Sequence, residues 1–98
     1  MNSIEITELL NLLYSNKTVN IVDIRTNYEY QLNRIPTAKN ISRDLLELVP
    51  EKYLNKNSTY YIYCQSGSSS QKLVQKLNSK GYHTVNITGG FNNYLLRK

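Results

Sequence analysis

With 98 residues, 40% of them hydrophobic and 19% charged, the chain has the composition of one ordinary globular domain and not of a disordered segment. A single cysteine, Cys64, excludes an internal disulfide and any zinc site built from several thiolates, and no apolar run approaches the ~18–20 residues needed to span a bilayer. The net charge is +5, but residues 1–50 carry five Lys/Arg against six Asp/Glu while residues 51–98 carry seven against one, so the excess lies in the half that holds Cys64.

Taken in chain order, Ile4–Ile6 reads as a short edge strand. Thr7 is then the N-cap of a helix over 8–15, with Leu9, Leu10, Leu12 and Leu13 on its apolar side. Val19–Ile24 reads as a buried strand, and Asn27 as the cap of a short helix over Tyr28–Leu32. Ile35-Pro36 interrupts that helix, because proline lacks the N–H a helix needs and restricts its predecessor. Ala38–Ile41 forms another short strand. Ser42 caps a helix holding Leu45, Leu46 and Leu48, which ends before Pro50.

Thr59–Cys64 is the clearest strand, aromatic and β-branched, and it stops at a Gly/Ser loop. A helix over Ser69–Lys80 follows, with Leu73, Val74 and Leu77 on its apolar face and Lys72, Lys76 and Lys80 as a solvated basic stripe. Gly81 supplies the left-handed conformation that ends it. His83–Ile87 is the last strand, Gly89-Gly90 a tight turn and Phe91–Leu96 a final helix. Strands alternating with helices imply parallel strands joined by right-handed crossovers.

The chemistry concentrates at Cys64. In an open α/β sheet, ligands bind beyond the carboxyl ends of the strands. Cys64 ends one strand and a helix begins a few residues later, which places the sulfur beside inward-turning N–H groups at the positive end of a helix dipole. Such surroundings lower a thiol pKa and favour the nucleophilic thiolate. Gly67 allows the tight turn, and Ser66, Ser68, Ser69 and Ser70 add hydroxyl donors. Ser68 and Gln71 match the S-x-x-Q capping box. The competing reading is an inert buried cysteine ahead of a serine-rich helix cap.

The basic half shows no zinc finger, arginine-rich run or aromatic–basic RNA signature, so no nucleic-acid partner is expected. It reads as a solvated face that can also steer a small anion. A tyrosine phosphatase would need Cys-x5-Arg, and position 70 is Ser. His83 alone makes no metal site, and no cofactor is expected. Met1–Glu5 shows no basic stretch ahead of an apolar core, so a cytoplasmic protein without membrane attachment is expected. Tyr61 and Tyr63 fall on one face of their strand and Tyr60 on the other. Tyr94 is expected to pack the final helix on the sheet. Arg25 is expected to pair with Glu29 as the short helix begins, and Asp23, at a strand end, to accept backbone hydrogen bonds near the loop.

From Ile4 to Leu96 the sequence resembles the single-domain rhodanese-like sulfurtransferases. Val22-Asp23-Ile24-Arg25 with Tyr28-Glu29-Tyr30 resembles the family's V-D-V-R-x-x-x-E-[FY]. Arg34–Ile41 resembles G-H-I-P-G-A-x-N-[IL], and Ile62–Gly67 the start of the active-site loop V-Y-C-R-x-G-x-R-S. Gly81-Tyr82 and Thr88–Phe91 resemble the closing G-[FY] and L-x-G-G. The resemblance implies an α/β three-layer sandwich over residues 1–98, a five-stranded parallel sheet with helices on both faces. It implies Cys64 as catalytic nucleophile, residues Gln65, Ser66, Gly67, Ser68, Ser69 and Ser70 as the substrate-binding loop, and Asp23, Arg25 and Glu29 in support. It further implies a small anionic sulfur donor and a thiol or cyanide acceptor, with a protein sulfur donor or acceptor as the alternative partner. Two loop positions that are often Arg in the family are Gln65 and Ser69 here, which disfavours thiosulfate, since neither supplies a bidentate cation. Asn33-Arg34 replaces Gly-His and Thr37 replaces Gly, and Arg34 is a second place from which a charge can reach the site.

Overall fold

The computed structural model describes residues 2–15 and 17–97. Five strands, β1 (Ser3–Ile4), β2 (Asn20–Asp23), β3 (Lys39–Asn40), β4 (Thr59–Tyr63) and β5 (His83–Ile87), form one sheet in the order β1-β5-β4-β2-β3. Every pairing is parallel, and the register sets Asp23 beside Tyr63 and Ile62 beside Asn86. Five helices connect them: α1 (Ile6–Tyr14), α2 (Asn27–Leu32), α3 (Arg43–Leu48), α4 (Ser68–Ser79) and α5 (Gly90–Arg97). A 3₁₀ turn at Pro50–Lys52, which the sequence reading did not anticipate, follows α3.

Alternation along the strands divides the core between two faces, because successive side chains point to opposite sides. Val22, Ile62 and Cys64 pack with Leu46 of α3 and Leu73, Val74 and Leu77 of α4. Ile21, Tyr63 and Ile87 pack with Ile6 and Leu9 of α1 and with Phe91 and Tyr94 of α5. Helices thus cover both faces of a parallel sheet. Tyr61 and Tyr63 lie on one face and Tyr60 on the other, and Tyr94 anchors α5, as expected.

Several helix starts differ from the sequence reading. Helix α1 begins at Ile6 behind Glu5, so Thr7 lies inside it and is not the cap. Helix α2 is capped by Thr26 and not Asn27: its hydroxyl accepts from the Glu29 N–H, while the Glu29 carboxylate accepts from the Thr26 N–H, a complete capping box. Helix α4 begins one residue early, with Gly67 at its N-cap and no side-chain cap bond, so the Ser68–Gln71 box does not form. The basic stripe of α4 is only partly a solvated feature. Lys76 pairs with Glu47 of α3 at 2.8 Å, and Lys80 donates to the Glu47 carbonyl at 3.2 Å. Thr37 keeps a positive φ of 71°, so the turn after Pro36 retains the left-handed backbone that glycine would adopt freely.

Candidate active site around Cys64

All strands run the same way, so the segments leaving β2, β4 and β5 meet at one end of the sheet. The Ile24 N–H donates to the Tyr63 carbonyl at 3.0 Å, and the Phe91 and Asn92 N–H groups donate to the Cys64 and Gln65 carbonyls, each at 3.0 Å. Two glycines permit this closure. Gly67 has φ +97°, and a Cβ there would lie 2.9 Å from the Gly89 nitrogen. Gly90 has φ +57°, and a Cβ there would collide with the Cys64 carbonyl oxygen.

Cys64 follows β4 directly and is buried. Its Sγ accepts from the Gly67 N–H at 3.1 Å and the Ser70 N–H at 3.3 Å, and lies 3.3 Å from Ser70 Oγ. These donors belong to the first turn of α4, where the helix dipole also favours a negative charge. Burial is the largest single influence on this thiol and opposes ionisation. The Ser70 hydroxyl and the N–H groups of Ser70, Gly67 and Ser66 together outweigh it and hold the thiol below its ordinary pKa.

The rest of the loop divides by role. Ser70 is fully buried, whereas Ser66 and Ser68 are exposed with their hydroxyls 3.2 Å apart, and Ser69 is half-buried. Ser70 therefore lies beneath the sulfur and not on the outer surface of the loop. Gln65 turns sideways: its amide donates to Asn92 Oδ1 at 2.6 Å, and its carbonyl oxygen accepts from Arg25 Nη1 at 3.4 Å.

Asp23 and Arg25 form a closed pair next to this loop. Asp23 is fully buried, and its carboxylate accepts from the Arg25 backbone N–H at 2.7 Å, from Arg25 Nη2 at 2.9 Å and from the Tyr63 hydroxyl at 2.6 Å. The backbone bond agrees with the expectation for Asp23. The expected pairing of Arg25 with Glu29 is not found: Glu29 is consumed by the α2 cap, and Arg25 turns back to Asp23 two residues away. The guanidinium also lies 3.9 Å above the Phe91 ring. Glu29 is thus set apart from Cys64. Arg34 likewise stays away from the loop, lying over its neighbour Tyr30 at 4.4 Å. His83 stands at the start of β5, the opposite end of the sheet from Cys64.

Sequence reasoning missed Asn86. It is buried on β5 under the loop, accepting from Ser70 Oγ at 2.5 Å and donating to the Gly67 carbonyl at 3.3 Å. The available signal was an amide between Val85 and Ile87 in a strand otherwise suited to burial.

The family model for the rhodanese-like domain matches residues 5–97. The chain belongs to the rhodanese-like family. Among solved structures, a rhodanese-like domain protein from Staphylococcus aureus is 41% identical, with a TM-score of 0.84 over 96% of this chain and 91% of that one. Among curated proteins, the putative sulfurtransferase YtwF of Bacillus subtilis is 33% identical over 72 residues, 71% of this chain and 67% of that protein. The thiosulfate sulfurtransferase GlpE of Coxiella burnetii is 31% identical over 80 residues, 81% of this chain and 74% of that protein. This rhodanese-like chain is therefore related to sulfurtransferases. Among its described residues, no helix is long and apolar enough to cross a membrane.

Proposed function

We propose that the protein is a sulfurtransferase that carries sulfane sulfur on Cys64. The observation that carries this reading is the sulfur itself, a buried thiol at the start of α4 that faces two N–H groups and a hydroxyl and is held below its ordinary pKa. In the first half-reaction the Cys64 thiolate attacks the outer sulfur of the donor. The S–S bond of the donor breaks and its electron pair leaves with the remainder, sulfite in the case of thiosulfate. The resulting persulfide is then attacked at its outer sulfur by a thiol or cyanide, which restores the Cys64 thiolate. Dividing the transfer in this way implies ping-pong kinetics. With one cysteine in the chain, the persulfide cannot be resolved as an internal disulfide, and the sulfur must leave to an external acceptor.

The loop's donors are neutral. Gln65 is held by Asn92 and Arg25, and the nearest guanidinium, Arg25, is itself spent on Asp23, Gln65 and the Asn33 carbonyl. Ser66, Ser68 and Ser69 remain to meet the donor. An oxyanion held by hydroxyls lacks the charge-assisted bonds that Arg would give. Thiosulfate is therefore expected to be a slower donor than an uncharged trisulfide. The same observation favours a second reading, a persulfide-carrying interaction module supplied by another protein with little turnover of small donors. The test is Cys64→Ser, which is expected to fold and to lose all transfer from thiosulfate and trisulfide to cyanide. Transfer retained at the wild-type rate would overturn the proposal, whereas wild-type protein that is inert to both donors yet accepts sulfur from a protein persulfide would establish the second reading.

A further inference from the structure

The Ser70 hydroxyl has one proton and three acceptors around it. Asn86 Oδ1 lies at 2.5 Å, the Gly67 carbonyl at 3.2 Å and Cys64 Sγ at 3.3 Å. A carbonyl oxygen only accepts, so the Asn86 amide must present Nδ2 to the Gly67 carbonyl, 3.3 Å away, which turns Oδ1 toward Ser70. Asn86 is buried and its backbone is fixed within β5, so its amide has little freedom to turn elsewhere. The shortest of the three contacts fixes the proton on Asn86 while Cys64 is a thiol. The Cys64 S–H can then donate to the free lone pair of Ser70 Oγ, and every group is satisfied.

Ionising Cys64 disturbs this arrangement in either of two ways. If the Ser70 proton stays on Asn86, the sulfur anion faces an oxygen lone pair. If the proton swings to sulfur, two oxygens face each other at 2.5 Å with no hydrogen between them. The first outcome gives the thiolate no bond from the hydroxyl and the second gives one only by breaking the bond to Asn86, so the hydroxyl still favours the thiolate but by less than its position suggests.

We propose that Asn86 is a positioning residue for Cys64, competing with the sulfur for the single Ser70 proton and so restraining formation of the thiolate. Its bearing on sulfur transfer rests on the reading of Cys64 given above. No ionisable side chain supplies an alternative control. Among the described residues, the ionisable groups on the surrounding elements are Asp23 and Arg25, Tyr60, Tyr61 and Tyr63 of β4, Lys72 and Lys76 of α4, His83 of β5 and Tyr94 and Arg97 of α5. Tyr61 lies on the opposite face of the sheet, and the Tyr60 hydroxyl accepts from the Asn55 N–H at 2.8 Å. Asp23, Arg25 and Tyr63 are bonded to one another, Lys76 to Glu47, Lys72, His83 and Arg97 are exposed, and Tyr94 packs on Phe91 across the sheet. None of them hydrogen bonds to Cys64 Sγ.

The test follows Cys64 alkylation by iodoacetamide as a function of pH, whose midpoint reports thiolate formation. Asn86→Val removes the closer of the two competing acceptors and suits a strand, while the Gly67 carbonyl keeps the Gln71 N–H as its donor at 3.1 Å. The midpoint should fall by about one pH unit, the difference expected when a neutral hydroxyl is released to serve a charged partner. Ser70→Ala should raise the midpoint, and adding Asn86→Val to Ser70→Ala should then change nothing, since no proton is left to compete for. A midpoint that rises or stays in Asn86→Val, or the same fall without the Ser70 hydroxyl, would overturn the proposal. Asn86→Leu, read in the same way, covers a failure of Asn86→Val to fold. The S–H stretch of the wild-type thiol gives a reading without any change at Asn86. It should be lowered by donation to Ser70 and move up in Ser70→Ala, and an unmoved frequency would also overturn the proposal. Alkylation does not depend on sulfur transfer, so an inactive wild type would count against the proposed function while the titration still judged Asn86.

Discussion

Cys64 and Tyr63 are consecutive at the end of β4 and point to opposite faces of the sheet, and the polar groups gathered around them differ in kind. Beneath Tyr63, on the side of α1 and α5, Asp23 and Arg25 form a charged cluster in which the carboxylate receives bonds from a guanidinium, a backbone N–H and a phenol. Beneath Cys64, on the side of α4, the partners are Ser70, Asn86 and two backbone N–H groups, all neutral. The first cluster is closed: its charges cancel within it, and it ties the end of β2 to β4 and, through Asn33, to the segment after α2. The second leaves one group, the sulfur, free to change its charge. The comparison teaches that the nearest strong cation serves the scaffold, while the reactive thiol is tuned by dipoles and a shared proton.

The largest expected consequence falls on the charged side. Asp23→Ala leaves Arg25 buried without its counter-ion and the Tyr63 hydroxyl without its acceptor, and should cost roughly 3–5 kcal/mol of stability in urea unfolding. A loss within experimental error would show that the cluster is not closed and that water or another group serves Arg25. On the neutral side Ser70→Ala leaves the Asn86 carbonyl oxygen without a donor, a cost of about 1–3 kcal/mol in the same measurement. It should also move the Cys64 alkylation midpoint, which Asp23→Ala in folded protein should move much less. Equal shifts from both variants would erase the distinction between the clusters.

Much of this was legible in the residues. The five strands, the alternation of tyrosines on β4 and the Cys64 loop follow from side-chain type and period, because burial in a parallel sheet imposes both. The side-chain partners were less accessible. Arg25 and Glu29 stand four apart, a spacing that suggests a helical ion pair, but α2 begins after Arg25, and its first turn needed Glu29 for the Thr26 cap. The serines after Gly67 offered a capping box, but Gly67 itself occupies the N-cap with a left-handed backbone, and Ser66 and Ser68 bond to each other. Asn86 became visible only when β5 was set beside β4, since its meaning depends on lying under a loop 16 or more residues earlier.

A smaller effect separates the clusters by pH. Burial, together with the neighbouring Asp23 carboxylate, holds the Tyr63 phenol above its ordinary pKa. A raised value means that the stability it contributes is complete below the ordinary phenol range and is lost as the pH rises beyond it. Tyr63→Phe should therefore cost on the order of 1 kcal/mol near neutrality and should flatten the alkaline fall in the urea midpoint. The Cys64 thiol is held in the other direction, so its contribution is complete above the ordinary thiol value and is lost as the pH falls through the lowered one. An alkaline fall as steep in Tyr63→Phe as in wild type would show that another group titrates there.

The central claim is that the sulfur beneath the neutral loop is the one that carries the transferred atom. Intact mass spectrometry of the reduced protein after incubation with a trisulfide, followed by fragmentation, tests it directly. The account predicts the addition of one sulfur atom, located on Cys64, removed by cyanide and absent from Cys64→Ser. No added sulfur with trisulfide, thiosulfate or a protein persulfide, from protein whose Cys64 still alkylates, would contradict it.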